Sequence, residues 1–371
     1  MATNTAPDRI RYGVIGTGMM GGEHLLNLAS IPDAEIVAIS DPNGESRDWG
    51  LACAGGVGVG VHRDHRELLE RSDLDAVVIA SPNMTHVDVL ADTLRTDLAV
   101  MVEKPMCTTI ADSLTVSGWA RDRWEQRRAL TWVGLEYRYM PTVSRFVAAL
   151  DAGGVGRLRM ISIREHRFPF LTKVDNWNRF NSNTGGTLVE KCCHFFDLMC
   201  LVAGSKPVRV LASGGQDVNH LDESYVLPDG SVARPDILDN AFVIVEFANG
   251  VRGLLDLCMF AEGGRYEQEL VAVGDRAKVE ATVPGDTVRI SPRDGSGTVE
   301  LPAPMPTGVA YEGFHHGASY LEHLAFIEAL RSGSPATVGV DQGLWSVAVG
   351  EAAHCSIDEG RPVLLAELGL E

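Results

Sequence analysis

The chain has 371 residues, of which 45% are hydrophobic and 22% charged, and it carries a net charge of -18. That length exceeds one ordinary core and suits two domains, within a composition typical of globular proteins. The acidic balance argues against nucleic acid or an anionic membrane as partner, and against a strongly anionic substrate unless local arginines collect it.

The opening stretch, MATNTAPDR, has no apolar h-region, and no segment approaches a membrane span. A cytoplasmic protein is expected. The apolar run Ile10 to Ile15 then flows into Gly16, Gly18 and Gly21, and a helical pattern follows from about Met20 to Ala29. This is G-x-G-x-x-G between a strand and a helix. Gly16 permits the tight turn, Gly18 admits a pyrophosphate against the backbone, and Gly21 lets helix and strand pack closely. The first N–H groups of the helix, at Met19 and Met20, and the backbone of Thr17 face the phosphates. A second apolar run, Glu35 to Ser40, ends at Asp41, twenty residues beyond Gly21. A carboxylate there binds the adenosine ribose hydroxyls and repels a 2′-phosphate, which selects NAD.

Apolar runs near 10–15, 35–40, 57–61, 75–80, 98–102 and 129–134 alternate with helical patterns near 20–30, 44–54, 64–71, 84–95 and 109–125. Such alternation predicts a parallel sheet with helices on both faces, and ligands bind at the carboxyl ends of its strands. Two further strand ends are chemically marked. One is Ser81-Pro82-Asn83-x-x-His86 and the other is Glu103-Lys104-Pro105. Ser-Pro-Asn is also good helix-start chemistry.

From Arg138 the texture changes. A helix at 142–152, a strand at 158–168 and a polar aromatic loop at 170–186 precede a helix from about Leu188 to Val202, with Gly204 as its stop. Strand runs at 207–213, 241–248, 251–260, 267–274, 276–283 and 286–291 follow without intervening helices, and Asn249-Gly250 signals a hairpin. Residues 284–310 otherwise read as loop, and helices at 318–331 and 341–359 close the chain. The expected architecture is α/β. A Rossmann domain at 1–135 precedes an α+β domain at 136–371 with an open, mostly antiparallel sheet, and the active site is expected in the cleft between them.

The ordered set of glycine loop, Asp41, Ser81-Pro82-Asn83-x-x-His86, Glu103-Lys104-Pro105 and Gly185-Gly186…His194-x-x-Asp197 resembles the glucose–fructose oxidoreductase / inositol dehydrogenase family. The resemblance spans nearly the whole chain. It implies NAD(P)-dependent oxidation or reduction of sugars, cyclitols or related secondary alcohols, with homodimers or homotetramers associating through the C-terminal sheet. It also points to a cis peptide at Lys104-Pro105. Many relatives carry Asp in D-x-x-x-H where this chain has Glu190-Lys191-Cys192-Cys193-His194. The spacing survives, the acid is one methylene longer, and Lys191 adds a cation.

Oxidising a carbinol removes a hydride from carbon and a proton from oxygen. His194 suits the base, because imidazole titrates near neutrality. Glu190, one helical turn earlier, is placed to orient it or to bind a substrate hydroxyl. Lys104 is placed to donate to the reacting oxygen. Ser81, Pro82, Asn83, His86 and Glu103 are expected around the cofactor. Arg138, Arg164, His166, Asp175, Trp177, Asn178 and Lys191 are expected around a polyhydroxylated substrate. His315-His316 suits either the same cleft or a subunit interface. The seven cysteines (53, 107, 192, 193, 200, 258 and 355) include no C-x-x-C, which fits a reducing compartment. No metal is expected, since on a helix Cys192 and Cys193 point roughly 160° and 100° away from His194.

The reading is thus an NAD-dependent dehydrogenase acting on a ring secondary alcohol of a sugar or glycoside, C3 of a pyranoside being one candidate position. The alternatives are an inositol-type dehydrogenase and a non-catalytic nucleotide-dependent sensor or repressor on the same fold.

Overall fold

Ile10–Ile15 forms the first strand (β1) of the computed structural model, which describes residues 9–227 and 230–370. The chain continues through α1 (Met19–Ser30), β2 (Ala34–Ser40), α2 (Gly44–Cys53), β3 (Gly60–His62), α3 (His65–Leu69), β4 (Ala76–Ile79), α4 (His86–Thr93), β5 (Ala99–Glu103), α5 (Ile110–Arg127) and β6 (Thr131–Gly134). The six strands pair in parallel in the order β3-β2-β1-β4-β5-β6. Every residue of β4, β5 and β6 is buried, as a sheet covered on both faces requires.

The texture then changes as the sequence indicates. After α6 (Pro141–Asp151) and β7 (Leu158–His166) come three helical pieces, α7 (Asn181–Thr184), α8 (Thr187–Glu190) and α9 (Cys193–Ala203). Next are β8 (Pro207–Gly215), a short ribbon of β9 (Tyr225–Val226) and β10 (Val232–Ala233), then β11 (Asn240–Phe247), β12 (Arg252–Cys258), β13 (Gln268–Gly274), β14 (Ala277–Val283), β15 (Thr287–Pro292), β16 (Val299–Pro302) and finally β17 (Val363–Leu364). The large sheet runs β16-β15-β14-β13-β7-β12-β11-β8-β17, and only the β7–β12 pair is parallel. One face is buried: along β11, Ala241, Val243, Val245 and Phe247 point inward. Phe195, Phe196 and Met199 of α9 are fully buried, and α9 packs on β7. The other face exposes Met160, Leu211, Phe242, Ile244 and Leu254.

Two compact units result, and they differ from the 1–135/136–371 division. Residues up to Cys107 join Ala111–Tyr139 and Thr307–Leu344 in the first unit. Thr108–Ile110, Met140–Pro306 and the chain from Trp345 form the second. The return of Thr307–Leu344 has a packing cause. Its helix α10 (Ala318–Ser332) places Phe326 against Tyr12 and Trp132, at ring-centroid distances of 6.2 and 6.0 Å. The Trp132 indole N–H also donates to Glu322 at 3.0 Å. Helix α11 (Val340–Glu359) follows. Among the described residues no helix is long and apolar enough to cross a membrane.

Candidate functional site

In the first unit, Gly16 holds φ +86°, and a Cβ there would collide with the backbone of Ala80 and Ser81. A Cβ on Gly21 would collide with the Gly16 carbonyl. At Gly18 an added Cβ meets nothing within 4 Å, so the loop is open on the side a phosphate approaches. No side chain caps the start of α1, and its first turn carries no acid, which leaves the positive end of the helix for an anion. The Asp41 carboxylate accepts the Thr17 N–H of this loop and the Asn43 N–H, both at 2.8 Å. Thr17 also ties the loop to α2 through its hydroxyl, which donates to the Ser46 carbonyl at 2.7 Å. Arg47, which the motif reading passes over, directs its guanidinium to the carbonyls of Asp41 and Pro42.

Beside the loop, Asn83 is buried and its amide nitrogen has no acceptor. An open glycine cradle and an orphaned buried donor are what a dinucleotide would satisfy, so these residues fit NAD(P). His86 is fully buried, with Nδ1 at 2.8 Å from the Pro105 carbonyl and Nε2 at 3.0 Å from that of Ser81. Burial pushes this imidazole below its ordinary pKa. Its ring therefore sits between the carbonyls that follow two strand ends, those of β4 and β5. The Lys104-Pro105 peptide is cis, and Lys104 is half-buried at the end of β5. Arg138 also lies in this unit, donating to the Thr337 carbonyl at 3.5 Å. His315 belongs here too, with Nδ1 at 3.2 Å from Glu136 and 3.5 Å from Glu23.

In the second unit the expected continuous helix at 188–202 is broken. α8 ends at Glu190 and α9 starts at Cys193. The Glu190 carbonyl, which a continuous helix would offer to the His194 N–H, receives the Cys193 thiol at 3.5 Å. Upstream, Gly186 holds φ +88°, where a Cβ would strike the His354 ring. His354 Nε2 accepts the Leu188 N–H at 3.2 Å, and burial pushes this imidazole down to about 4. It is therefore neutral, with its proton on Nδ1. Glu190 and His194 are both buried. The Glu190 carboxylate lies 3.3 Å from the Lys173 ammonium, which sits 4.5 Å over the Trp177 ring.

Lys191 is buried, and its ammonium lies 2.9 Å from the Glu165 carboxylate, which is 0% exposed. Arg167 approaches the same carboxylate oxygen at 3.4 Å. Glu165 is the residue that motif reading missed. Strand alternation was the available signal, because residue 165 of β7 faces opposite to 164 and 166. That alternation also corrects Arg164 and His166. Both lie on the open face and bind Asp256, at 2.9 and 3.0 Å. In the loop, the Asn178 amide N–H donates to the Leu171 carbonyl at 3.0 Å while its buried amide oxygen has no donor, and Asp175 is exposed at φ 53°. Neither joins Glu190. The structure thus joins Lys173 to Trp177 and Glu190, and Lys191 to Glu165, and it pairs Arg164 and His166 with Asp256 on the open face instead.

Comparison with known proteins follows the same two parts. Residues 10–125 match the model of the Gfo/Idh/MocA "Oxidoreductase family, NAD-binding Rossmann fold", and residues 147–365 match that of its "C-terminal alpha/beta domain". Myo-inositol 2-dehydrogenase of Thermotoga maritima is 27% identical over 364 residues, covering 97% of this chain and 99% of that protein. Inositol 2-dehydrogenase of Rhizobium meliloti is 27% identical over 360 residues, covering 96% and 99%. Among solved structures, levoglucosan dehydrogenase in complex with NADH and levoglucosan superposes with a TM-score of 0.80 at 19% identity, covering 96% of this chain and 99% of that one. A parallel dinucleotide-binding sheet, an open mixed sheet and family matches along most of the chain make this protein a member of the Gfo/Idh/MocA oxidoreductases, dehydrogenases that act on CH–OH donors with NAD(P).

Proposed function

We propose that the protein is an NAD-dependent dehydrogenase of a ring secondary alcohol in a cyclitol, sugar or glycoside, with C3 of a pyranoside among the candidate positions. The observation that supports this reading is that the chain carries Lys104 at the β5 strand end and Glu190-x-x-x-His194, the residues that the family resemblance assigns to the chemistry, and is 27% identical over 364 residues to an inositol dehydrogenase. Gly16, Thr17, Gly18, Met19, Met20 and Gly21 hold the pyrophosphate, Asp41 the ribose, and Asn83 donates to the bound nucleotide. Bound NAD⁺ would supply the hydride acceptor. Lys104 donates to the reacting oxygen and steadies alkoxide character there, and His194 accepts the hydroxyl proton. Glu190 orients His194 or binds a neighbouring hydroxyl, and Trp177 offers a flat apolar face to the ring.

The test is a panel of myo-inositol, scyllo-inositol, levoglucosan, glucose and methyl glucosides with NAD⁺, read at 340 nm. Turnover of one or more supports the reading. Silence across the panel, with no bound NADH that turns over on added keto-sugars, would leave a nucleotide-dependent sensor instead. Asp41 carries a second expectation. The wild type should prefer NAD⁺ to NADP⁺, and Asp41→Ser should shrink the kcat/KM ratio by at least about tenfold. A wild-type preference for NADP⁺ would overturn the assignment.

The exposed apolar row of Met160, Leu211, Phe242, Ile244 and Leu254 supports association of two or four copies through the open sheet face. Light scattering should then report a dimer or tetramer, and a monomer would refute this part.

A further inference from the structure

A buried polar chain in the first unit connects three elements to Lys104. His24 lies on α1, one turn past the glycine loop, and is 1% exposed. Its Nε2 is 2.8 Å from Glu103 Oε1, and its Nδ1 is 2.9 Å from Nε2 of His323 on α10. Glu103 closes β5, and its other oxygen accepts the backbone N–H of the next residue, Lys104, at 3.1 Å. We propose that His24, itself oriented by His323, is a positioning residue for Lys104, acting through the Glu103 carboxylate.

The protons can be placed from the partners. Burial, together with the neighbouring His24, holds His323 well below its ordinary pKa, so this imidazole is neutral and carries one N–H. Its Nδ1 is buried with no partner, and a bare lone pair there costs less than an orphaned N–H. The proton therefore sits on Nε2 and is donated to His24 Nδ1. His24 must then carry its own proton on Nε2, facing Glu103.

Burial alone would push the Glu103 carboxyl up. The His24 hydrogen bond, with the nearby His24, Lys104 and His315 side chains, outweighs that and holds it down at about 2. An ionised carboxylate that is 4% exposed needs donors, and the His24 and Lys104 N–H groups supply them. The contrast with Glu136 in the same unit is instructive. Burial, together with the charges of Glu103, Glu23 and Glu322, pushes Glu136 well above the carboxylate range. Two buried acids of one neighbourhood are thus shifted in opposite directions, the one bonded to His24 downward and the one facing three other acids upward. Fixing Glu103 fixes the backbone from which Lys104 projects. It also places a permanent negative charge beside an ammonium that must remain a donor.

The inference rests on the reading of Lys104 as the group at the reacting oxygen, so two readouts are needed. The first requires neither cofactor nor substrate. Trace acetylation by acetic anhydride at pH 7.5, followed by peptide mass spectrometry, measures the free-amine fraction of Lys104, with Lys278 as internal reference. In His24→Leu the Glu103 charge loses its offsetting N–H dipole, and Lys104 labelling should slow by at least about threefold. His24→Gln, which keeps an N–H donor, should return to within about 1.5-fold of wild type. His323→Leu leaves the Glu103 contact but frees the imidazole. It should shift labelling the same way by less, and it keeps the test decisive if His24→Leu fails to accumulate.

The second readout is kinetic, with the best panel substrate and NAD⁺. His24→Leu should lower kcat by at least about tenfold with KM for NAD⁺ within about twofold, and should cost nothing further in a Lys104→Met background. Unchanged or faster labelling in His24→Leu, or additive losses in the double variant, would overturn the proposal alone. Near-normal turnover in Lys104→Met would overturn the Lys104 reading and this proposal with it.

Discussion

Lys104→Met and His194→Ala should each lower kcat by at least about 10²-fold, equivalent to about 2.7 kcal/mol of lost transition-state stabilisation. Methionine keeps the length of the lysine stem and removes only the donor, so the loss reports charge and hydrogen bonding rather than packing. Both variants should bind NADH within about threefold of wild type, because the glycine loop and its Asp41 contact lie elsewhere in the chain. Fluorescence titration of NADH and steady-state kinetics on the same preparations separate the two quantities. For His194 the loss should shrink at high pH, where bulk base replaces the missing acceptor, whereas that of Lys104→Met should not. Near-normal turnover in either variant would remove that residue from the chemistry.

Glu165→Leu should be the most destabilising single change near Glu190. It leaves the Lys191 ammonium, 6% exposed, and the adjacent Arg167 without their shared carboxylate. Breaking a buried pair by removing one partner costs about 3–5 kcal/mol, whereas replacing both by apolar groups is often close to neutral. Glu165→Leu/Lys191→Met should therefore recover more than half of the loss. Urea unfolding of the single and double variants measures this. A single-variant loss under about 1 kcal/mol would mean that the ammonium finds water or another acceptor. The pair also changes the view of Lys191. Its spacing from His194 suggests a substrate contact, but its charge is engaged by a strand whose pairing partners are far away in sequence, Arg252–Cys258 and Gln268–Gly274.

Local signals were strong along this chain, and the departures share one cause. The glycine loop, the strand-end motifs and the hairpin at Asn249-Gly250 are encoded within a few residues, and β1, α1, β11 and β12 fall where the pattern puts them. What was not legible depends on partners distant in sequence. The break between α8 and α9 coincides with a Lys191 committed to β7. His24 and His323 are 299 residues apart, and no spacing announces that pair. β16 looks like loop in sequence because it is an edge strand carrying Glu300 and Pro302, composition that edges use against unwanted pairing. Arg164 and His166 illustrate the opposite case. Along β7 the period-2 alternation by itself sets Arg164 and His166 on the face opposite to Glu165.

The return of Thr307–Leu344 to the first unit bears on how the protein is made. A ribosome releases β1 to β6 early, but Trp132 and Tyr12 gain their Phe326 contacts, and His24 gains His323, only when α10 emerges. Until then the nascent nucleotide-binding half must wait with part of its apolar surface uncovered while strands β7 to β16 are synthesised. At translation speeds of about 5–20 residues per second that interval lasts on the order of ten seconds or more. This is a window in which chaperone protection matters, and the order of synthesis makes completion of the first unit's core a late event rather than an early one.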